Sequence, residues 1–283
     1  MQVVVTTTLG AGPDAKEEAL LLAAELSTSY VPRDCKRLED LLDNYGVEGL
    51  LVVGARRVSL FCKRPEDEGN FKAGTKELNR PESNRVFQEF FFHPGTAKIR
   101  IKSILSGKPD QMIQAMDLRP GDAVLDCTLG LGADALVASF VVGAKGRVVG
   151  LEKVAPIAAI VERGLAKYSS PSQPLLNEAM RRIKVEPIEH LEYLHRAPSE
   201  SFDVVYFDPF FRVTVKGADQ MRPLRTVGDV GPLSLEAVQE ACRVARRRVV
   251  MKERRESREF ARLGFNRIAG GRYARVAFGV IEK

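Results

Sequence analysis

The sequence predicts an α/β protein. Its main body is a doubly wound, Rossmann-like sheet of seven strands closed by a C-terminal β-hairpin, and a small α/β N-terminal domain precedes it. Three observations carry this. From Asp122 onward, apolar β-prone runs alternate with helical segments, the pattern of βα units and a parallel sheet. The first of those runs ends in a glycine turn, Gly130-Leu131-Gly132, that opens straight into a helical segment. The alternation stops near the end of the chain, where two strand-like runs flank Gly270-Gly271 and read as a hairpin.

The elements follow in order. A strand near Gln2–Thr8 precedes a helix near Asp14–Ser27, apolar at Leu20, Leu21, Ala24 and Leu26, and a second helix lies near Lys36–Tyr45. Leu50–Val53 and Val58–Cys62 read as strands on either side of the turn at Gly54–Arg57. Residues 64–85 are polar with Gly and Pro and read as a long loop or linker, which sets the expected domains at 1–88 and 89–283. In the second domain, strands fit at Ala123–Cys127, Val148–Leu151, Ile183–Glu186, Val204–Phe207 and Arg248–Lys252. Helices fit at Ala133–Val142, Ala155–Lys167, Leu176–Arg182 and Leu233–Arg246.

Composition narrows the class. With 283 residues, 45% apolar, the chain is long enough for one large or two modest globular domains. No apolar run approaches the roughly 18–20 residues that span a bilayer. The N-terminus has no basic stretch before its apolar residues, so no secretory signal is expected and the cytoplasm is the expected compartment. Cys35, Cys62, Cys127 and Cys242 are scattered with no metal-ligand spacing, which suits reduced thiols and no metal. The net charge of +6 is uneven: Arg181–Lys283 holds 21 Lys+Arg against 14 Asp+Glu, and residues 1–180 hold 22 against 23. A basic surface is the footprint of a polyanion partner, although it also suits a solvated face.

The segment 124–139, VLDCTLGLGADALVAS, is a strand, a glycine turn and a helix. Gly130 and Gly132 let backbone approach a ligand, and Ala133 and Asp134 begin a helix with free N–H groups. Gly130-x-Gly132-x-x-Ala135 also satisfies a dinucleotide fingerprint, but no Gly-Lys-Ser/Thr follows, which excludes a P-loop. Asp126, just before the loop, suits the ammonium of a zwitterionic amino acid and would repel a pyrophosphate. Glu152 ends the second strand twenty-two residues after Gly130, where an acid accepts both hydroxyls of a ribose in NAD and S-adenosylmethionine enzymes alike. After the third strand, Glu189 and His190 fall at the level of an adenine ring.

The fourth strand ends in Asp208-Pro209-Phe210-Phe211. A carboxylate at the carboxyl edge of a buried strand is costly unless something there uses it. The tetrapeptide resembles the [DN]PP[YF] motif of methyltransferases that act on exocyclic amines of nucleobases. Such an amine is a weak nucleophile because its lone pair is delocalised into the ring. The Asp208 carboxylate and the Pro209 carbonyl can each accept one N–H and free that lone pair, while Phe211 stacks the base.

At family level the sequence resembles the small-subunit ribosomal RNA guanine-N2 methyltransferases of the RsmJ type, which belong to the class I S-adenosylmethionine-dependent methyltransferases. The resemblance rests on DCTLGLGADA, on the LEK run with its AA, E and GLA (151–166), and on VVYFDPFF. It continues in MRPLRTVGDVG (221–231) and RRVVMKERR (247–255). It implies the seven-stranded methyltransferase sheet, S-adenosyl-L-methionine as cofactor, and ribosomal RNA or the small ribosomal subunit as partner. The family's cofactor contacts fall on Ala133, Asp134, Glu152, Lys153, Glu189, His190 and Asp208. The chain departs from the family's Asp-Pro-Met-Phe-Pro, having Asp-Pro-Phe-Phe-Arg, and its linker before His93 differs.

Other readings stay open: a methyltransferase acting on another nucleic-acid base or a small molecule, an NAD-dependent oxidoreductase using the same loop and Glu152, or an RNA-binding factor without catalysis. The second has no Tyr-x-x-x-Lys and leaves Asp208 unexplained. Intact Asp126, Glu152 and Asp208 weigh against the third. The sequence leaves oligomeric state and target nucleotide open.

Overall fold

A computed structural model describes residues 1–63, 87–209, 231–271 and 273–283. Phe210, Phe211 and the basic Arg212, Lys216, Arg222 and Arg225 after them lie outside the described residues, as does the linker 64–85. The described chain divides into two compact units, one reaching to Phe92 and one starting at His93.

The first unit is a four-stranded sheet in the order β1-β2-β3-β4. β1 (Val3–Thr7) and β2 (Gly49–Val53) are parallel and buried at every position, which explains their unbroken apolar runs. β3 (Val58–Lys63) and β4 (Phe87–Phe91) continue the sheet antiparallel. α1 (Pro13–Glu25) starts with Pro at its first position and buries Ala15, Ala19, Leu22 and Ala23. α2 (Leu38–Tyr45) buries Leu41 and Leu42 in a cluster with Val4, Val31, Leu50 and Val52. The sequence boundary at 88/89 falls inside β4. Phe90 and Phe91, which that boundary assigns to the second domain, complete the first sheet, because β3 offers them an open edge.

The second unit is a seven-stranded sheet in the order β10-β11-β9-β8-β5-β6-β7. β5 (Ala123–Asp126), β6 (Arg147–Leu151), β7 (Ile183–Glu186), β8 (Phe202–Phe207) and β9 (Ala245–Arg254) are parallel, as expected. β10 (Arg267–Ala269) and β11 (Val276–Glu282) form the expected antiparallel pair, with β11 lying between β10 and β9. The helices are α3 (Gly95–Leu105), α4 (Gln111–Met116), α5 (Ala133–Val142), α6 (Ala155–Lys167), α7 (Pro174–Arg181), α8 (His190–Arg196), α9 (Leu235–Val244) and α10 (Glu259–Arg262). The helix expected to reach Arg246 stops at Val244. Ala245 instead pairs with Phe202 and begins β9, so ladder bonds replace further helical turns. α9 buries Ala237, Val238, Ala241 and Val244 in a core shared with Leu125, Val205, Phe207, Val249 and Met251. The strand order reverses between β5 and β8. Ligands of open α/β sheets bind beyond the carboxyl ends of strands at such a switch point.

Candidate active site

Strand register gathers charged side chains at that switch point. Asp126 of β5 pairs with Tyr206 of β8, and Tyr206 pairs with Val250 of β9. Paired residues share a sheet face and so do residues two apart, so Asp208 and Lys252 emerge on the same face as Asp126. α5 then places Asp134 over this face.

The loop after β5 is tightly held. Gly130 and Gly132 have φ of 51° and 72°, in the left-handed region where a side chain is strained. The Leu129 N–H donates to the Leu151 carbonyl at 2.9 Å. A Cβ on Gly150 would lie 2.4 Å from Leu129 Cδ1, so glycine in β6 makes the space into which Leu129 folds. Glu152 accepts from the Gly130 N–H at 3.2 Å and the Val154 N–H at 2.9 Å, which sets its carboxylate beside the glycine turn.

At the other side of the switch point, the Asp208 N–H donates to Thr128 Oγ1 at 2.6 Å, and the Thr128 N–H donates to Asp126 Oδ1 at 3.0 Å. Lys252 Nζ donates to Asp208 Oδ2 at 2.6 Å and to Asp134 Oδ2 at 3.0 Å. The Tyr206 hydroxyl donates to Asp134 Oδ2 at 2.8 Å. Arg100 of α3 pairs with Asp134 Oδ1 and forks onto Asp110, the N-cap of α4, at 2.8 and 2.9 Å.

Burial and neighbouring charge set the ionisation of these groups. Burial, with Asp134 and Asp208 nearby, pushes Asp126 up to about 8 against the Thr128 N–H and Lys252. Burial likewise pushes Glu152 up to about 7 against its two N–H donors. Asp134 is also buried, but Lys252 and Arg100 outweigh burial and hold it well below the usual carboxylate range. Asp208 is raised by burial and by Asp134, with Lys252 opposing them.

The structure therefore brings together Asp126, Gly130, Gly132, Ala133, Asp134, Glu152 and Asp208. Pro209 follows directly. Lys153 is exposed at the start of the turn after β6. Glu189 and His190 stand apart from this network. Glu189 caps α8 through the Leu191 and Glu192 N–H groups, at 2.7 and 3.1 Å, and its other oxygen lies 2.8 Å from His190 Nδ1. The His190 ring meets Phe207 edge-on at 5.9 Å, which sets the pair beside the end of β8. The Asp134 carboxylate is taken by three side-chain donors, Arg100, Tyr206 and Lys252.

Sequence reasoning missed Thr128, Tyr206, Lys252 and Arg100 as parts of this site. Lys252 had a signal: it follows the buried run Val249–Met251, as Asp208 follows Val204–Phe207. For Arg100 no local signal exists, since only α3 packing carries it to Asp134.

The donor set fits S-adenosylmethionine. Acids at Asp126, Asp208 and Glu152 suit an ammonium, a sulfonium and paired ribose hydroxyls, and a bound cation favours the ionised forms that burial opposes.

Comparisons with known proteins agree. The family model for SAM-dependent methyltransferases matches residues 70–275. The chain is 37% identical over 279 residues to the uncharacterized protein YpiP of Bacillus subtilis, covering 99% of both chains. It is 32% identical over 204 residues to ribosomal RNA small subunit methyltransferase J of Laribacter hongkongensis, covering 68% of each. The crystal structure of a SAM-dependent methyltransferase from Neisseria gonorrhoeae shares the fold, with a TM-score of 0.60 at 16% identity over 99% of this chain and 96% of that one. The chain belongs to the S-adenosylmethionine-dependent methyltransferases of the RsmJ type, with S-adenosyl-L-methionine as its cofactor.

Proposed function

We propose that this chain methylates the exocyclic N2 amine of a guanine in small-subunit ribosomal RNA, in the cytoplasm. The observation that carries the reading is the placement of Asp208. It directly follows the last residue of β8 at the switch point, its N–H is fixed by Thr128, and Lys252 engages its Oδ2. The names of the relatives and the basic C-terminal third support RNA as the acceptor.

When bound, the cofactor supplies an electrophilic methyl on a sulfonium. Glu152 accepts its ribose hydroxyls beside Gly130, Asp126 neutralises its ammonium, and Lys153, Glu189 and His190 border the adenosine. Asp208 Oδ1 and the Pro209 carbonyl each accept one N–H of the amine and aim the nitrogen lone pair at the methyl. Phe211, outside the described residues, stacks the base. The cofactor would supply the methyl carbon, with its thioether as the leaving group, and Asp208 Oδ1 would take the surplus proton of the methylated nitrogen. Catalysis is then positioning and electrostatics with no covalent enzyme intermediate.

The test is a nucleoside map of small-subunit RNA from cells lacking this chain. One N2-methylguanine should disappear and return with the wild-type chain but not with Asp208→Ala. An unchanged map would exclude this acceptor. Phe211→Ala should lose roughly 1–3 kcal/mol of base stacking, with Phe211→Tyr tolerated.

A further inference from the structure

Lys252, within the 247–255 run, is not among the residues expected to contact the cofactor or the amine, yet its ammonium lies between Asp134 and Asp208. β9 runs parallel to β8 with Met251 opposite Phe207, so Lys252 and Asp208 leave the sheet side by side. The lysine is only 24% exposed and Asp134 only 12%, and desolvating such groups is unfavourable unless the pairing is close. The pairing is close: 2.6 Å to Asp208 and 3.0 Å to Asp134. Asp134 is in turn fixed by Tyr206 and Arg100, and Arg100 by Asp110. A chain of alternating charges thus runs from α3 through α5 to the end of β8.

Asp208 receives an amine N–H best as a carboxylate, because protonation turns one of its two oxygens into a donor and removes the charge that attracts the amine. The described charged and titratable groups around it are Asp126 of β5, Asp134 of α5, Tyr206 of β8 and Lys252 of β9. Burial and Asp134 favour its protonated form, and among the described residues Lys252 opposes them. Lys252 also takes Oδ2 and thereby fixes the carboxylate plane, leaving Oδ1 as the acceptor.

We propose that Lys252 is a positioning residue of the transfer reaction. Anchored by Asp134, it fixes the Asp208 carboxylate so that one oxygen is left to receive the amine. This rests on the reading of Asp208 as the group that holds the amine.

Two measurements test it. The first follows the Asp208 carboxyl by carbon-13 NMR in the ligand-free chain, its signal identified by loss in Asp208→Asn. Lys252→Met should move its titration upward by about one to three pH units, and Lys252→Arg should leave it near the wild-type position. The second follows methyl transfer to undermodified small-subunit RNA. Lys252→Met should lower kcat about 100-fold or more with cofactor KM changed by less than about threefold. The acid limb of its pH profile should move upward with the NMR titration, and Lys252→Arg should recover much of both. If circular dichroism shows Lys252→Met unfolded, Lys252→Gln, whose amide can still donate to both aspartates without the charge, carries the same titration. An unmoved Asp208 titration, or wild-type kcat in a folded Lys252→Met chain, overturns the inference. A wild-type chain inactive on RNA would instead overturn the guanine reading, and the titration would still decide the role of Lys252.

Discussion

Glu152 and Asp126 hold protons near neutrality in the free chain, about 7 and about 8, because burial outweighs the N–H donors around them. A ligand that brings an ammonium and hydroxyl donors favours their ionised forms. Both acids are raised in the free chain, so the ligand must displace protons below those values and need displace none above them. Cofactor affinity should therefore weaken as pH falls through about 8 to 7 and level off above, with proton release on binding near neutrality. Calorimetry of S-adenosylhomocysteine in buffers of different ionisation enthalpy measures this. A binding enthalpy independent of buffer would contradict it. Glu152→Ala should weaken binding by about 1.5–3 kcal/mol, the usual effect of losing hydrogen bonds to a charged group, as read in the same titration. Residues of this kind were legible in the sequence because each sits next to a local marker: Asp126 before the glycine turn, Glu152 after β6, Asp208 before Pro209. Arg100 carries no such marker, and Lys252 only the apolar run Val249–Met251 before it. Their function lies in strand register and helix packing, which join positions 118 and 34 residues from Asp134.

At the level of elements, the glycine turn depends on β6. Leu129 fills the space above Gly150, and its N–H is bound to Leu151. Gly150→Ala puts a methyl where Leu129 Cδ1 now lies, so the leucine must leave and the turn with it. Overpacking of this kind costs about 1–3 kcal/mol, and here cofactor affinity should fall with stability. Denaturant melts and cofactor titration of the same variant check both, and wild-type values in each would show that the turn does not rest on Leu129. The alternating βα run was legible because both faces of those strands are buried and their residues are uniformly apolar. β4 was not: a short phenylalanine run after a long polar stretch becomes a strand only because β3 presents an open edge 24 residues away in register, Lys63 to Phe87. The short helices α4, α8 and α10 escaped for a related reason. Each spans two turns or fewer, too short for a clear period, and is held by packing or capping such as that of Asp110 and Glu189.

For the whole molecule, the excess positive charge lies entirely in the C-terminal third, 21 Lys+Arg against 14 Asp+Glu from Arg181 on. Many of those arginines are already paired, among them Arg243, Arg246, Arg247, Arg248 and Arg262. The sequence-level charge therefore overstates what RNA can use, and Arg222 and Arg225 in the segment after Phe211 become the sharper test. RNA affinity should fall steeply with salt, and neutralising both should reduce the slope by about two contacts' worth. Salt-independent affinity would remove the polyanion argument. Among the described residues no helix is long and apolar enough to cross a membrane.

The most direct measurement is transfer of a labelled methyl from S-adenosylmethionine to undermodified small-subunit RNA by the purified wild-type and Asp208→Ala chains, followed by nucleoside analysis. The wild type should yield N2-methylguanosine. Asp208→Ala should lose nearly all transfer while keeping its fold by circular dichroism, because the Asp208 interaction strengthens as the nitrogen gains charge. Asp208→Asn should retain a fraction through its carbonyl oxygen. Transfer by Asp208→Ala at the wild-type rate would contradict the account, since Asp208 would then be no more than the end of a strand.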